Sequence, residues 1–93
     1  DLIEQLVRDS WSNLATAKAT HQFLANQASI SAEFLELARK ERKLGNRSLL
    51  DVLNGETALI NANSDATSAR TDVVIATITL LNAMGRLELK AIQ

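Results

Sequence analysis

The middle of the chain contains the stretch that decides the fold, Leu44-Gly45-Asn46-Arg47-Ser48-Leu49-Leu50-Asp51-Val52-Leu53-Asn54. Gly45 suits the left-handed position just after the last turn of a helix, because glycine has no Cβ that would clash there. Ser48, followed three residues later by Asp51, resembles a helix-starting capping box with aspartate in place of the usual glutamate. The stretch therefore predicts the end of one helix, a turn over residues 45–47 and the start of a second helix.

The segments on either side of this turn contain almost nothing that breaks a helix. The chain has no proline and three glycines in 93 residues, and proline and glycine are the residues that most often interrupt helices. We expect a first helix over about residues 2–44, a second over about residues 48–85 that ends near Gly85, and a tail over residues 86–93. This predicts an all-α fold, a long antiparallel helical hairpin of the coiled-coil type.

Apolar residues recur every seven positions along the first helical segment, which is the period of a coiled coil. One pair of columns joins Ile3, Val7, Leu14, Ala17, His21, Leu24, Ala28, Leu35 and Ala38. A further column joins Leu2, Phe23, Ile30, Leu37 and Leu44.

The second helical segment repeats the same period with smaller residues. One column contains Val52, Leu59, Ala66, Val73 and Leu80, and its neighbour contains Gly55, Ala62, Ala69, Ala76 and Ala83. A third column contains Leu53, Ile60, Thr67, Val74 and Leu81. An apolar arc this wide predicts contact with more than one neighbouring helix, since a two-stranded coiled coil needs only a narrow stripe.

Composition argues against several classes of function. The chain has no cysteine, which excludes disulfides, thiolate metal sites and thiol catalysis. A net charge of −1 gives no reason to expect a nucleic-acid partner. The single histidine, His21, lies in an apolar column, and no phosphate-binding loop or nucleophile elbow is present. We therefore expect no enzyme activity, no cofactor and no metal site.

Two groups of polar residues have a plain interpretation beside a functional one. Polar side chains follow one side of the second helix and form either a solvated face or the wall of a water-filled duct: Asp51, Asn54, Asn61, Asp65, Ser68, Asp72 and Asn82. Cations surround the turn and either complement the helix dipole or form a charged tip that pairs with a partner: Arg39, Lys40, Arg42, Lys43 and Arg47.

The turn stretch resembles the periplasmic tip of TolC-like outer-membrane factors, the trimeric exit ducts of multidrug efflux pumps and type I secretion systems. Two further landmarks resemble the same family, Val7-Arg8-Asp9-Ser10-Trp11-Ser12-Asn13-Leu14 and Leu80-Leu81-Asn82-Ala83-Met84-Gly85-Arg86-Leu87. The resemblance covers nearly the whole chain. It implies one hairpin of a larger protein, a piece of a trimeric α-helical barrel in the periplasmic portion of an outer-membrane protein of the Gram-negative cell envelope.

The resemblance also implies partners and residue roles. The protein would form a homotrimer, dock directly to a periplasmic adaptor (membrane fusion) protein and communicate indirectly with an inner-membrane transporter. The adaptor-docking tip would consist of Leu44, Gly45, Asn46 and Arg47. The gated aperture would involve Arg42, Arg47, Asp51 and Asn54, with Arg47 tying the hairpin to its neighbour in the closed state and Asp51 forming a ring of three copies. The duct would be lined by Asn61, Asp65, Ser68 and Asp72.

The sequence departs from the family pattern at three positions. Asn54 replaces a second acidic residue, so the resemblance implies a single carboxylate ring here. Arg42 occupies a position where some members carry an aromatic latch residue. Gly55 replaces an alanine at a cost in helix propensity of about 1 kcal/mol, and it allows either closer helix contact or local bending.

Two other interpretations of the hairpin remain open from the sequence. A coiled-coil spacer or oligomerisation hairpin would explain the heptads and the helix caps without any duct. The hairpin of a periplasmic adaptor protein would also be long, helical and charged at its tip.

Overall fold

The computed structural model describes residues 1–92 and contains two helices in that range, α1 (Leu2–Lys43) and α2 (Leu49–Ile92). No strand is present in this part of the chain. The all-α fold predicted from the heptad pattern is confirmed. The helix ends at the turn lie within one residue of the predicted ends, which is the usual uncertainty of helix boundaries.

Two compact units each contain a part of both helices. The turn unit comprises Gln22–Ser68, and the terminal unit comprises Asp1–His21 together with residues 69–92. In each unit the part of α1 packs antiparallel against the part of α2, so the chain is a helical hairpin.

The core of the turn unit is small and lies close to the turn. It consists of Leu35, Ala38 and Val52, with Leu59 packed against it, and Ala38 has no exposed surface at all. A buried alanine at this position lets α2 approach the backbone of α1 closely, and the larger side chains interlock around it.

The seam of the terminal unit is also built around small side chains. Ser10, Ala69 and Ala83 are buried there beside Leu80. At the end of this unit the Lys90 ammonium group pairs with the Asp1 carboxylate, and Asp1 also accepts a hydrogen bond from the Ile3 backbone N–H at 2.9 Å. An ion pair therefore joins the residue that precedes α1 to the last turn of α2.

The predicted seam columns are the ones that the structure covers. Every member of the paired α1 columns from Ile3 to Ala38 is buried or half-buried, and so is every member of the α2 columns that contain Val52 and Gly55. The remaining apolar columns stay exposed: Leu2, Phe23, Ile30 and Leu37 on α1, Leu44 directly after it, and Leu53, Ile60, Val74 and Leu81 on α2. One hairpin thus covers only part of the apolar arc of each helix.

The predicted tail over residues 86–93 is wrong for its described part. The helix does not end near Gly85 but continues to Ile92, and Gln93 lies outside the described residues. The physical reason is that the seam continues: Leu87 stands seven residues after Leu80 and is half-buried. Gly45, in contrast, is the glycine with a positive φ.

Neither helix contains a segment that is long and apolar enough to cross a membrane within the part of the chain described.

Glycine-to-alanine substitutions at two helical positions test the close packing beside the turn. At Gly85 an added Cβ meets nothing within 4 Å, whereas at Gly55 it would stand 3.3 Å from Leu35 Cδ1. Both substitutions gain helix propensity, so we expect Gly85→Ala to raise the free energy of unfolding by about 0.5–1 kcal/mol. Gly55→Ala should gain clearly less or should destabilise, because the buried Leu35 must shift.

Urea unfolding of the two variants, followed by circular dichroism at several protein concentrations, checks this prediction. The concentration series is needed because self-association through exposed apolar columns would change apparent stability. Equal stabilisation by both variants would contradict the tight contact at Gly55.

Candidate docking tip and polar face

The turn is closed by two backbone hydrogen bonds that wrap around Gly45. The Asn46 N–H donates to the Glu41 carbonyl at 2.9 Å, and the Gly45 N–H donates to the Arg42 carbonyl at 2.9 Å. Gly45 has φ = 81°, so these bonds form a Schellman motif with glycine in the left-handed position. The helix end predicted from the sequence at Gly45 is confirmed, and any L-residue at this position would be strained.

Ser48 starts the second helix. Its Oγ accepts a hydrogen bond from the Asp51 N–H at 3.2 Å, and its carbonyl accepts the first helical bond, from the Val52 N–H, at 3.4 Å. Asp51 also places a negative charge in the first turn of α2, where the helix dipole favours it. The structure confirms the serine part of the predicted capping box; a reciprocal bond from the Ser48 N–H to the Asp51 carboxylate is absent from residues 1–92.

Arg47 is held by side chains of its own hairpin. Its Nε donates to Glu41 Oε2 at 2.7 Å, and its guanidinium carbon lies 5.3 Å from the centroid of the Phe34 ring. The side chains of this ion pair are only 26% and 31% exposed. Neither Glu41 nor Phe34 was identified from the sequence, although their spacing of one heptad on α1 puts both on one side of the helix.

The tip beyond these contacts is open to solvent. Leu44 is 76% exposed, and Gly45, Asn46, Leu49 and Leu50 are exposed as well. Of the four residues predicted to dock, three are therefore accessible, whereas Arg47 is half-buried. The exposed leucines on both sides of the hydrogen-bonded turn make the tip apolar.

The cations around the turn differ in their partners. Arg39 pairs with Glu56 on α2 at 3.1 Å, and Lys40 pairs with Glu36 one turn earlier at 3.4 Å. Arg42 and Lys43 are exposed and form no ion pair among the described residues. The basic cluster is thus partly neutralised within the hairpin, and Arg42 keeps a free charge at the tip.

Of the predicted aperture residues, Asp51 and Asn54 lie on the surface of α2, as do all the predicted duct residues, whereas Arg42 is on α1 and Arg47 is in the turn. Asp51, Asn54, Asn61, Asp65 and Ser68 are exposed in the turn unit, and Asp72 is exposed in the terminal unit. None of the three aspartates forms an ion pair within residues 1–92, and no hydrogen bond there links Arg47 to Asp51 or Asn54. Asp72 and Asn13 share the wall of two shallow depressions over the seam of the terminal unit.

No group of three or more His, Asp or Glu side chains in the described part of the chain converges in a way that could hold a metal ion. The surface is therefore a set of exposed polar and apolar stripes on a helical scaffold. Such stripes define the class of protein: a coiled-coil hairpin whose remaining apolar faces are exposed.

Comparison with known proteins gives the family. The family described as outer membrane efflux protein matches residues 3–86 of this chain. The outer membrane efflux protein BepC of Brucella suis biovar 1 (strain 1330) is 39% identical over 89 residues, which cover 94% of this chain and 19% of BepC. The chain belongs to the outer membrane efflux protein family, and the resemblance noted from the tip stretch is confirmed.

The chain spans about a fifth of the length of that curated relative (19%). No solved structure gives a significant match to the chain.

Removing the cap of α2 tests how the turn is terminated. We expect Ser48→Ala to lower the free energy of unfolding by about 1 kcal/mol, because the Asp51 N–H loses its hydrogen-bond acceptor. Ser29→Ala is the matched control: Ser29 is exposed in the interior of α1, where alanine is the better helix former. Urea unfolding of both variants measures the difference, and an equal effect of the two substitutions would mean that Ser48 does not cap α2.

Proposed function

We propose that this chain is a periplasmic tip hairpin of a trimeric exit duct for efflux or type I secretion. The observation that carries the proposal is the tip itself: a Schellman turn at Gly45, framed by exposed Leu44, Leu49 and Leu50. A turn closed by two backbone hydrogen bonds and framed by uncovered leucines suits end-on docking, since a turn that is already ordered loses little conformational entropy when a partner binds. Membership of the outer membrane efflux protein family supports this role.

The exposed apolar columns support assembly into a barrel. Large apolar side chains such as Leu37 on α1 and Leu53 on α2 remain exposed to solvent in the single hairpin. Each helix can bury its remaining apolar column only against a further helix, because its seam columns already pack against the other helix of the hairpin. A closed ring of helices, three protomers in the proposed homotrimer, would cover these columns without leaving an edge.

The polar side of α2 supports the entrance and wall of the duct. Asp51 is exposed in the first turn, close to the tip, and forms no ion pair within the described residues. Three copies of Asp51 around one axis would attract cations and repel one another, which favours a wider aperture. Asn54 would add hydrogen-bonding capacity without charge, and Asn61, Asp65, Ser68 and Asp72 would keep the wall hydrated.

In this proposal the protein conducts and does no chemistry. The periplasmic adaptor would engage the tip, the inner-membrane transporter would act through the adaptor, and the substrate would pass along a polar wall. The family match favours the channel over the alternative of an adaptor hairpin. A plain coiled-coil spacer would explain the seam but gives no reason for an apolar tip around a fixed turn.

Site-specific photocrosslinking tests the docking role. A photoreactive amino acid at Asn46, which is exposed in the turn, should crosslink to the hairpin tip of a purified periplasmic adaptor protein. The same amino acid at Ser12, which is exposed on α1 in the terminal unit, is the matched control and should give at least tenfold less product. Mass spectrometry of the crosslinked peptides identifies the contact, and equal labelling from both positions would contradict tip docking.

A further inference from the structure

We propose that Arg47 is a positioning residue that locks the docking turn of its own hairpin through Glu41 and Phe34. The residues Phe34, Glu41 and Arg47 are called the tip clamp below. Its importance for docking depends on the function proposed above, but its existence does not.

The first support for the tip clamp is that Glu41 accepts two hydrogen bonds, one through its backbone and one through its side chain. Its backbone carbonyl accepts the hydrogen bond of Asn46 that closes the turn, and its carboxylate accepts that of Arg47 Nε at 2.7 Å. Arg47 immediately precedes Ser48, the cap of α2. Glu41 therefore binds both Asn46 in the turn and Arg47 just before the next helix.

The second support is the partial burial of the ion pair. The Arg47 and Glu41 side chains are 26% and 31% exposed, whereas those of Arg39 and Glu56, which form an ion pair between α1 and α2, are 56% and 40% exposed. Exposed pairs contribute little because water and salt screen them. The less exposed pair is screened less, and its arginine also lies over the Phe34 ring at 5.3 Å, where the face of the ring attracts a cation.

The third support comes from Gly55. A Cβ at this position would lie 3.8 Å from Cε1 and 3.9 Å from Cδ1 of Phe34, and 3.3 Å from Leu35. The ring that lies beneath Arg47 is therefore in van der Waals range of a Cβ at this position of α2, and the tight contact there is with Leu35. The Phe34 ring thus lies between Arg47 and α2, and the 3.3 Å approach to Leu35 favours the close-contact role of Gly55 over local bending.

The tip clamp changes what Arg47 does. Its guanidinium group is already bound within the hairpin, so a bond to a neighbouring hairpin would have to compete with Glu41. Arg47 then acts on docking by fixing Gly45 and Asn46, which are the exposed part of the turn. Loss of Glu41 should consequently have the same effect as loss of Arg47.

Amide hydrogen exchange in the 93-residue chain tests the tip clamp. The variants are Glu41→Gln, Arg47→Gln and the double variant, and the amides followed by NMR are those of Gly45 and Asn46. We expect each single variant to speed exchange at Asn46 about three- to tenfold, and the double variant to be no faster than the singles, because one shared interaction is lost. Arg39→Gln breaks the exposed pair with Glu56 and should leave Asn46 unchanged.

Two results would overturn the inference. The first is a faster exchange rate at Asn46 in Arg47→Gln together with an unchanged rate in Glu41→Gln. The second is a rate increase in the double variant that equals the product of the increases in the two single variants. Phe34→Leu is a second, independent variant that keeps an apolar side chain at position 34. It should speed exchange at Asn46 while the helical circular dichroism stays constant, and unchanged exchange would remove Phe34 from the tip clamp.

Crosslinking from Asn46 in the same variants separates the two proposals. Faster exchange together with weaker crosslinking to the adaptor supports both the tip clamp and tip docking. Faster exchange in variants of a chain whose Asn46 never crosslinks to the adaptor supports the tip clamp and contradicts tip docking. Unchanged exchange contradicts the tip clamp whatever the crosslinking shows.

Discussion

The constraint on which the structure depends is the small size of one seam column of α2. From Gly55 to Ala83 this column contains no residue larger than alanine, and all its members are buried or half-buried. The two backbones can therefore approach closely, but small side chains bury little apolar surface, and burial supplies most of the driving force for folding. In the described part of the chain no large side chain is completely buried.

Because the seam buries little apolar surface, most large apolar side chains are available for assembly with other helices. The larger apolar residues, such as Phe23, Ile30 and Ile60, lie outside the seam and remain exposed. A surface of this kind is expected where further helices complete the packing, because exposed apolar area on this scale marks interaction sites. In the proposed ring of hairpins, these exposed residues would supply the apolar burial that the small seam residues do not.

At the turn, the backbone and the side chains have different roles. Gly45 and the Schellman bonds set the backbone path, and they use no side chain. The side chains around the turn are then free either to hold it, as Glu41 and Arg47 do, or to face outward, as Leu44 does. A docking surface needs both roles, since an exposed turn that is not held would lose entropy on binding.

Patterns with a strict period or a strong local preference could be read from the sequence. The seam columns, the glycine at the end of α1 and the serine at the start of α2 are of this kind, and the structure confirms them. The partners of Arg47 could not be read, because no periodic or local pattern indicates which acidic side chain a flexible arginine meets; the packing beside Phe34 and Glu41 decides it. The predicted end of α2 is wrong because it rests on Gly85 alone, whereas Leu87 continues the seam.

The most direct test of this account is the distance between spin labels at Ser12 and Asn82, two exposed positions of the terminal unit. Cysteines can be introduced without interference, since the chain has none, and dilution with unlabelled chain suppresses pairs between molecules. An antiparallel seam predicts a distance of about 20–30 Å including the label arms. A distance near 105 Å, roughly the length of an unbroken helix between the two positions, would contradict the hairpin and the duct proposed from it.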